Sequence, residues 1–265
     1  MTRILALFLV LSSLFGCGTR VDQGYDEGKA AYDRGDFAAA AQLLEPPAMR
    51  GHAESELLLG NLYYSGGGVP LDHAKAVEWY RRSAERGLAA AQFKLGFALY
   101  LGRGVETDYD EAVTWYRRAA EQGDTDAQFN LATMLGEGGH VARDDVESAA
   151  WFSRAAESGM ARAQYNLAVL YANGQGVPRD PAEAARWYRM AAEQSHSRAQ
   201  YNLGAVYAMG EGVPVDLVEA HKWFSLSGNQ GLAEAAEAVE KCEAGMTAAE
   251  IARARELALT WKPSG

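Results

Sequence analysis

Large aromatic residues recur along this chain at a fixed spacing. A tryptophan followed by tyrosine or phenylalanine returns every 36 residues without slippage, at Trp79, Trp115, Trp151, Trp187 and Trp223. Other columns keep the same phase, among them Gly66, Gly102, Gly138, Gly174 and Gly210, and Asp72, Asp108, Asp144, Asp180 and Asp216. A fixed period of this length is the sequence signature of a repeat architecture. The chain is therefore predicted to be an array of one supersecondary unit.

The sequence of each repeat predicts a first helix (helix A), a glycine-rich loop, a second helix (helix B) and a glycine that ends helix B. In the copy at residues 88–123, helix A is predicted from about Ala89 to Leu101, where apolar residues recur at helical spacing. Asp108 then begins helix B as its N-cap, with Glu111 at the spacing of a capping box. The same pair recurs at Asp144/Glu147, Asp180/Glu183 and Asp216/Glu219. Strand-like alternation is missing, so the predicted fold is all-α, an α/α superhelical solenoid of 36-residue helix-loop-helix repeats.

A few positions carry local predictions. Gly87, Gly123, Gly159 and Gly231 share a phase that suits a left-handed residue past a helix end. Ser195 takes their place in one copy and predicts a strained or differently shaped corner. Small residues at one helix A position predict close helix approach, at Gly60, Gly96, Ala132, Ala168 and Gly204. Pro46 and Pro47 should kink or end the second helix of the first repeat.

The period sets the domain boundaries. A degenerate repeat is predicted at 25–51, followed by full repeats at 52–87, 88–123, 124–159, 160–195 and 196–231. Residues 232–265 are predicted to form capping helices that cover the last repeat. Residues 1–16 are predicted to be a lipoprotein signal peptide, and residues 17–24 a polar tether.

The N-terminal residues lie outside the repeats and are mostly apolar. Ile4 to Phe15 is an almost purely apolar run after Arg3, too short to span a bilayer and typical of a signal-peptide core. Leu14-Phe15-Gly16-Cys17 resembles the bacterial lipoprotein cleavage box. That resemblance implies that Cys17 is the lipidated first residue of the mature chain, and that the lipid is the only membrane attachment. Gly18, where inner-membrane lipoproteins usually have aspartate, favours the periplasmic face of the outer membrane. The alternative is an ordinary signal and a soluble periplasmic or secreted protein.

Charge and cysteine content narrow the choice of partners. The formal net charge is −10, which argues against nucleic acid and against unaided adsorption to anionic lipid. Cys17 and Cys242 are the only cysteines. If Cys17 is acylated, the chain has no disulfide, and Cys242 is predicted to be a small buried residue.

No motif for chemistry stands out in the sequence. The five histidines, His52, His73, His140, His196 and His221, have no metal-ligand spacing. No nucleophile elbow occurs. The recurring Gly-x-Gly, as at Gly102/Gly104, lies between helices without the further residues of a phosphate-binding loop. We therefore expect no catalytic residue, no cofactor, no metal and no small-molecule substrate. A cell-wall enzyme or binder, acting on peptidoglycan or β-lactams, is the alternative.

The candidate binding site is a ladder of asparagines. Asn130, Asn166 and Asn202 occupy one helix A position in three repeats, with Lys94 one repeat earlier. Asparagine is a poor residue in the middle of a helix, so a stacked row suggests that the amides bind something. The neighbouring column is aromatic (Phe93, Phe129, Tyr165 and Tyr201), and Arg162 and Arg198 lie on the same helices. The alternative is structural: the amides bond adjacent loops, and the rings pack between helices.

The repeat Ala-x3-Leu-Gly-x2-Tyr-x2-Gly-x-Gly-Val-x2-Asp-x3-Ala-x2-Trp-Tyr-x2-Ala-Ala-x2-Gly resembles the Sel1-like repeat, a longer-looped relative of the tetratricopeptide repeat. Residues 163–195 match it best. The resemblance implies A helices lining a concave groove, and scaffold or adaptor work on another protein or peptide. Cysteine-rich members have been described as β-lactamases, but their cysteine pairs are missing here. The chain is thus predicted to be a non-catalytic, lipid-anchored scaffold.

Overall fold

The computed structural model describes residues 16–263, with side chains from residue 24 onward. Over that range the backbone forms fourteen α-helices and no strand, so the all-α prediction is confirmed. In chain order they are α1 Gly16–Asp33, α2 Phe37–Met49, α3 Ala53–Ser65, α4 His73–Glu85, α5 Ala89–Leu101, α6 Tyr109–Glu121, α7 Thr125–Glu137, α8 Asp145–Glu157, α9 Ala161–Asn173, α10 Pro181–Glu193, α11 Ser197–Met209, α12 Leu217–Asn229, α13 Glu234–Glu243 and α14 Ala248–Thr260. The predicted signal peptide, apart from the backbone of Gly16, and the Cys17 side chain lie outside the described residues.

The chain divides into two compact units, residues 1–127 and 128–265, with the boundary inside α7. In the first unit, the pairs α1/α2, α3/α4 and α5/α6 form helical hairpins, and the second helix of one pair packs on the first helix of the next. In the second unit, α8 packs on α9, the pairs α9/α10 and α11/α12 repeat the hairpin, and α12 contacts α13 and α14. Each unit is a stack of helix-loop-helix repeats, which confirms the solenoid class. In the described part of the chain, no helix combines the length and apolar character of a membrane span.

After the first repeat, the helices begin and end where the sequence predicts. The Asp108 and Asp144 carboxylates accept hydrogen bonds from the Glu111 and Glu147 backbone N–H groups, at 2.8 and 2.9 Å. Each such cap satisfies an amide that has no partner within the helix and contributes about 1 kcal/mol. At the other end, the predicted stop glycines have φ between 91° and 94° (Gly87, Gly123, Gly159 and Gly231). Ser195 has φ 65° and is the only non-glycine residue with positive φ in residues 16–263, so the predicted strain is present.

The predicted capping boxes are wrong in one respect. The backbone N–H of Asp108 already donates to the Leu99 carbonyl at 3.2 Å, so it does not need the Glu111 carboxylate. Glu111 instead accepts from the Trp115 indole N–H at 3.0 Å, as Glu147 does from Trp151. A complete box is formed in α14 by Thr247 and Glu250.

The five tryptophans that recur every 36 residues are buried, with exposed fractions of 4–7%. In three copies an arginine one helical turn later stacks on the indole, and its carbon atom Cζ lies 4.4–4.7 Å from the ring centre (Arg82, Arg118 and Arg154). In the copy with Glu183, the carboxylate pairs with Arg186, and the buried Trp187 indole N–H has no hydrogen-bond partner. The tryptophan column therefore lies in the core, with one unsatisfied donor.

Glycine is required at two kinds of close contact. A Cβ built on Gly60 would lie 2.5 Å from the Tyr80 ring, and one on Gly204 would lie 2.8 Å from Phe224, so the predicted close helix approach is confirmed. In the loops, a Cβ on Gly104 would lie 2.3 Å from the His73 carbonyl of the preceding repeat. The second glycine of Gly-x-Gly is thus explained by loop packing on the previous helix B.

The first repeat departs from its predictions. α1 begins at Gly16, so the predicted tether is helical; no proline interrupts the segment, and extending an existing helix adds one hydrogen bond per residue. α2 continues through Pro46 and Pro47 to Met49, so the prediction that it ends there is wrong. Pro47 and Ala48 are buried in the core, which holds the last turn in place.

Buried polar residues link successive repeats. The Gln122 amide donates to the Gln92 side-chain oxygen at 2.7 Å, and the same bond recurs from Gln194 to Gln164 and from Gln230 to Gln200. One repeat earlier, Arg86 and Glu56 occupy these positions and form an ion pair at 3.0 Å. The Glu56 side chain is 1% exposed, and burial raises its pKa although Arg86 opposes the shift.

Replacing Arg86 with glutamine is expected to destabilise the protein at neutral pH by about 1–3 kcal/mol, because a buried carboxylate loses its charged donor. The Glu56 pKa is already raised in the folded state, and losing Arg86 raises it further. Protonation of Glu56 then relieves the cost, so the loss should shrink as the pH falls towards 5. Thermal denaturation at neutral pH and at about pH 5 measures this loss of stability.

The matched control is the double variant Glu56→Gln, Arg86→Gln, which rebuilds the glutamine pair of the later repeats. It should melt at or above the wild-type temperature, with no pH dependence from this site, because a buried ion pair is often no more stable than a neutral replacement. A single variant as stable as the wild type at neutral pH contradicts the assignment.

The C-terminal helices α13 and α14 both pack against α12. The His221 ring, 1% exposed, bonds the Glu243 carboxylate of α13 at 2.9 Å, and Arg255 of α14 bonds the same oxygen at 2.8 Å. Trp261 packs edge-on against Trp223. Cys242 is buried, as predicted, and burial raises its pKa. The hydrogen bonds among His221, Glu243 and Arg255 and the contact between two tryptophans therefore connect α12 to the C-terminal helices.

Candidate functional site

The candidate binding residues lie on the exposed side of A helices. On α11, Arg198, Asn202, Ala205 and Met209 follow one another at helical spacing, and none is buried. On α9, the equivalent positions are Arg162, Asn166, Val169 and Asn173. We call these eight residues the A face. Each row runs from an arginine at the helix start, through a half-buried asparagine, to an exposed residue at the helix end.

The three asparagines have different surroundings. The Asn202 amide is hydrogen-bonded to the Tyr188 hydroxyl of the preceding repeat, and burial raises the pKa of Tyr188 to about 12. Phe152 holds that place before Asn166 and has no hydroxyl. Within residues 24–263, the Asn130 and Asn166 side chains have no hydrogen-bond partner. The structural interpretation therefore accounts for Asn202 and leaves two half-buried amides available.

The aromatic column packs inside its own repeats. Each ring contacts the aromatic residue that follows the tryptophan on helix B, with centroid distances of 5.2–6.1 Å. The pairs are Phe93/Tyr116, Phe129/Phe152, Tyr165/Tyr188 and Tyr201/Phe224. All four rings of the column remain half-buried, so part of each stays accessible beside the helix B partner. In the first unit, Lys94 is exposed on α5, with its ammonium 5.6 Å from the Phe93 ring.

One of the two arginines stands beside an aromatic ring, and both lie near His196. The Arg162 guanidinium lies 4.7 Å from the centre of the Phe129 ring, a cation–π contact between α9 and α7. His196, the N-cap of α11, stacks on Tyr165 at 4.8 Å and accepts from the Ala199 N–H through Nδ1. Burial, followed by the charges of Arg198 and Arg162, lowers the His196 pKa. The positive charges of both guanidiniums therefore reach the same imidazole, that of His196 at the start of α11.

Two clefts adjoin the A face, and the sequence predicted neither. One, of about 220 Å³, is lined by Asn202, Ala205, Met209 and Tyr188. The second, of about 510 Å³, lies between α11, α12 and α13 and is lined by Tyr201, Phe224 and Leu217 together with Ala205 and Met209. Met209, which borders both, is 61% exposed. Its exposed position is visible in the sequence only after the helix spacing and the ends of α11 are known.

A serine, a histidine and an acid do meet elsewhere. Ser225 Oγ lies 3.2 Å from His221 Nδ1, and His221 Nε2 lies 2.9 Å from Glu243. The imidazole is 1% exposed, and neither Ser225 nor His221 lines the clefts beside the A face. The group serves as the joint between α12 and α13. In the described residues, no three of histidine, cysteine, aspartate and glutamate come together as metal ligands do.

These features define the class of protein: a helical-repeat scaffold with an exposed, partly apolar side of A helices. The Sel1 repeat matches residues 53–88, 89–124, 125–160, 161–196 and 197–232, so the chain belongs to the Sel1 repeat family. Sel1 repeat proteins are protein-interaction scaffolds and generally non-catalytic. A comparison with curated sequences gave no match.

Solved structures support the same assignment. A Sel1 repeat protein from Oxalobacter formigenes is 31% identical, with a TM-score of 0.74, over 91% of this chain and 98% of that one. A protective antigen of uropathogenic Escherichia coli strains, which displays an SLR fold, is 30% identical with a TM-score of 0.58. That match covers 90% of this chain and 60% of the antigen.

Proposed function

We propose that this chain is a non-catalytic scaffold of the bacterial cell envelope that binds another protein or peptide on the A face. The main support is the pairing of exposed polar groups with clefts whose walls are mostly apolar. Charged side chains also line these clefts, Arg179 and Glu211 in the first and Glu234, Glu237 and Lys241 in the second. Asn166 offers an amide with no internal partner, while Ala205 and Met209 border space for a partner's side chain. A binding site that fixes a polypeptide needs both, because apolar contacts supply affinity and amides fix the backbone.

Capture of the partner in cells tests this function. A photo-crosslinking residue at Val169 or Ala205 should trap a protein, whereas one at Val146, an exposed position on α8, should not. Adding Asn130→Ala, Asn166→Ala and Asn202→Ala should abolish the crosslink with little change in melting temperature. Equal crosslinking from Val146, or none from the A face, contradicts the proposal.

A second variant separates binding from structure. Tyr188→Phe removes the internal hydrogen bond of Asn202 but keeps the amide and the ring. Its stability cost should be about 1 kcal/mol, the same as that of Asn202→Ala, and its crosslinking should be unchanged. If the triple asparagine variant unfolds instead, the ladder is structural.

The envelope location is part of the same proposal and is supported by the N-terminal sequence alone. We expect signal removal before Cys17, acylation of its thiol, and attachment to the periplasmic face of the outer membrane. Mass spectrometry of the mature N-terminus should find the acyl mass on Cys17, and Cys17→Ser should release the protein from membranes. An unmodified Cys17 would instead favour the soluble alternative.

A further inference from the structure

The signs of the charges at the starts of α9 and α11 are unusual. Arg162 and Arg198 each occupy the second position of their helix, where the helix dipole favours an acid. The equivalent residues of α3 and α7, Glu54 and Asp126, are acidic. The two arginines therefore oppose a local preference that other repeats of the same chain obey.

Neither arginine is neutralised. In residues 24–263, no carboxylate pairs with Arg162 or Arg198, although both are exposed and the chain has an excess of acidic residues. In the same unit, Arg143, Arg179 and Arg186 have acidic partners (Asp145, Glu211 and Glu183), whereas Arg154 and Arg189 contact the Trp151 ring and the Tyr207 hydroxyl, and Arg253 has no acidic partner among the described residues. The A face thus begins with two uncompensated positive charges.

An aromatic ring holds one of these charges in place. Arg162 lies against the Phe129 ring, and a stacked guanidinium keeps its in-plane N–H donors available to an acceptor. His196, the N-cap of α11, is engaged as a helix cap and as a stacking partner of Tyr165. The groups available to bind an anion are therefore the guanidiniums and not the imidazole.

We propose that the A face selects an acidic partner segment: carboxylates bind Arg162 and Arg198, and an apolar side chain further along enters the clefts beside Met209. The inference rests on the proposed function and names the chemistry of its partner. Charge complementarity identifies the occupant, because guanidiniums match carboxylates in geometry. The row of amides and clefts that follows suits an extended polypeptide.

The test compares two charge reversals of equal size. Arg162→Glu, Arg198→Glu removes the proposed site, and acids at helix starts should leave the melting temperature unchanged or higher. Arg253→Glu, Lys262→Glu makes the same change in net charge at exposed positions near the C-terminus. The probe is a fluorescein-labelled peptide of glutamate, leucine and serine, with glutamine and lysine versions as controls, measured by anisotropy.

The glutamate peptide should bind the wild type and the Arg253/Lys262 variant at least about tenfold more tightly than the glutamine peptide, and more weakly as salt rises. The Arg162/Arg198 variant should lose that preference. Equal binding of the three peptides, no binding by the wild type, or equal loss in both variants overturns the inference. So does adsorption to vesicles of phosphatidylcholine and phosphatidylglycerol that depends on the two arginines without a peptide preference.

Crosslinking from Val169 separates this inference from the proposed function. If the partner is captured equally well by the Arg162/Arg198 variant, the scaffold function stands and the acidic segment is wrong. If nothing is captured from the A face of the wild type, the proposed function itself fails.

Discussion

Replacing Trp151 with alanine is expected to lower the free energy of unfolding by about 3–5 kcal/mol, the range for a large buried side chain. The indole is 7% exposed, its N–H donates to Glu147 at 3.0 Å, and Arg154 stacks on it at 4.4 Å. Alanine removes both contacts and leaves a cavity. Denaturant unfolding followed by circular dichroism measures the change.

Two variants make this test specific. Val146→Ala, at a 69% exposed position on the same helix, should change stability by less than about 0.5 kcal/mol. Trp187→Phe should cost about 1 kcal/mol less than Trp151→Phe, because the Trp187 N–H has no hydrogen bond to lose. A Trp151→Ala protein within 1 kcal/mol of the wild type would show that the tryptophan column is not the core.

The second large effect concerns the loop glycines. Gly212→Ala should destabilise the protein by about 2–5 kcal/mol, since alanine must adopt φ 78° and its Cβ would lie 2.3 Å from the Pro181 carbonyl. The atoms in the way belong to the backbone of the preceding repeat. Relief therefore requires the loop to move away from α10.

Gly231→Ala is the matched control, because Gly231 has φ 91° but nothing within 4 Å of its would-be Cβ. Its free energy of unfolding should fall by about 1–2 kcal/mol, the cost of placing alanine in a left-handed conformation. The difference between the two variants in denaturant unfolding is the contribution of loop packing between repeats. Equal losses in both would mean that the close contact is relieved without cost.

The repeat pattern correctly predicted where the helices lie, but it did not predict which groups the side chains bond to. The spacing placed Glu111 correctly for a capping box, yet the Asp108 amide was already bonded to α5, and the carboxylate turned to Trp115. Likewise, Asn130, Asn166 and Asn202 are equivalent in sequence but not in surroundings: Asn202 is bonded to the Tyr188 hydroxyl, whereas the equivalent place before Asn166 is Phe152 and Tyr116 before Asn130 makes no such bond. Whether a side chain has a partner depends on the packing of the neighbouring helices.

The sequence by itself determined the 36-residue period, the A and B helices, their caps and the burial of the tryptophans. These follow from local backbone preferences and from hydrophobic periodicity, which act within a few turns of chain. The tertiary structure alone decided the ion pair of Glu56 with Arg86, the clefts beside Met209, and the two uncompensated arginines. Each of these depends on side chains from different repeats meeting in space, and no local preference encodes that meeting.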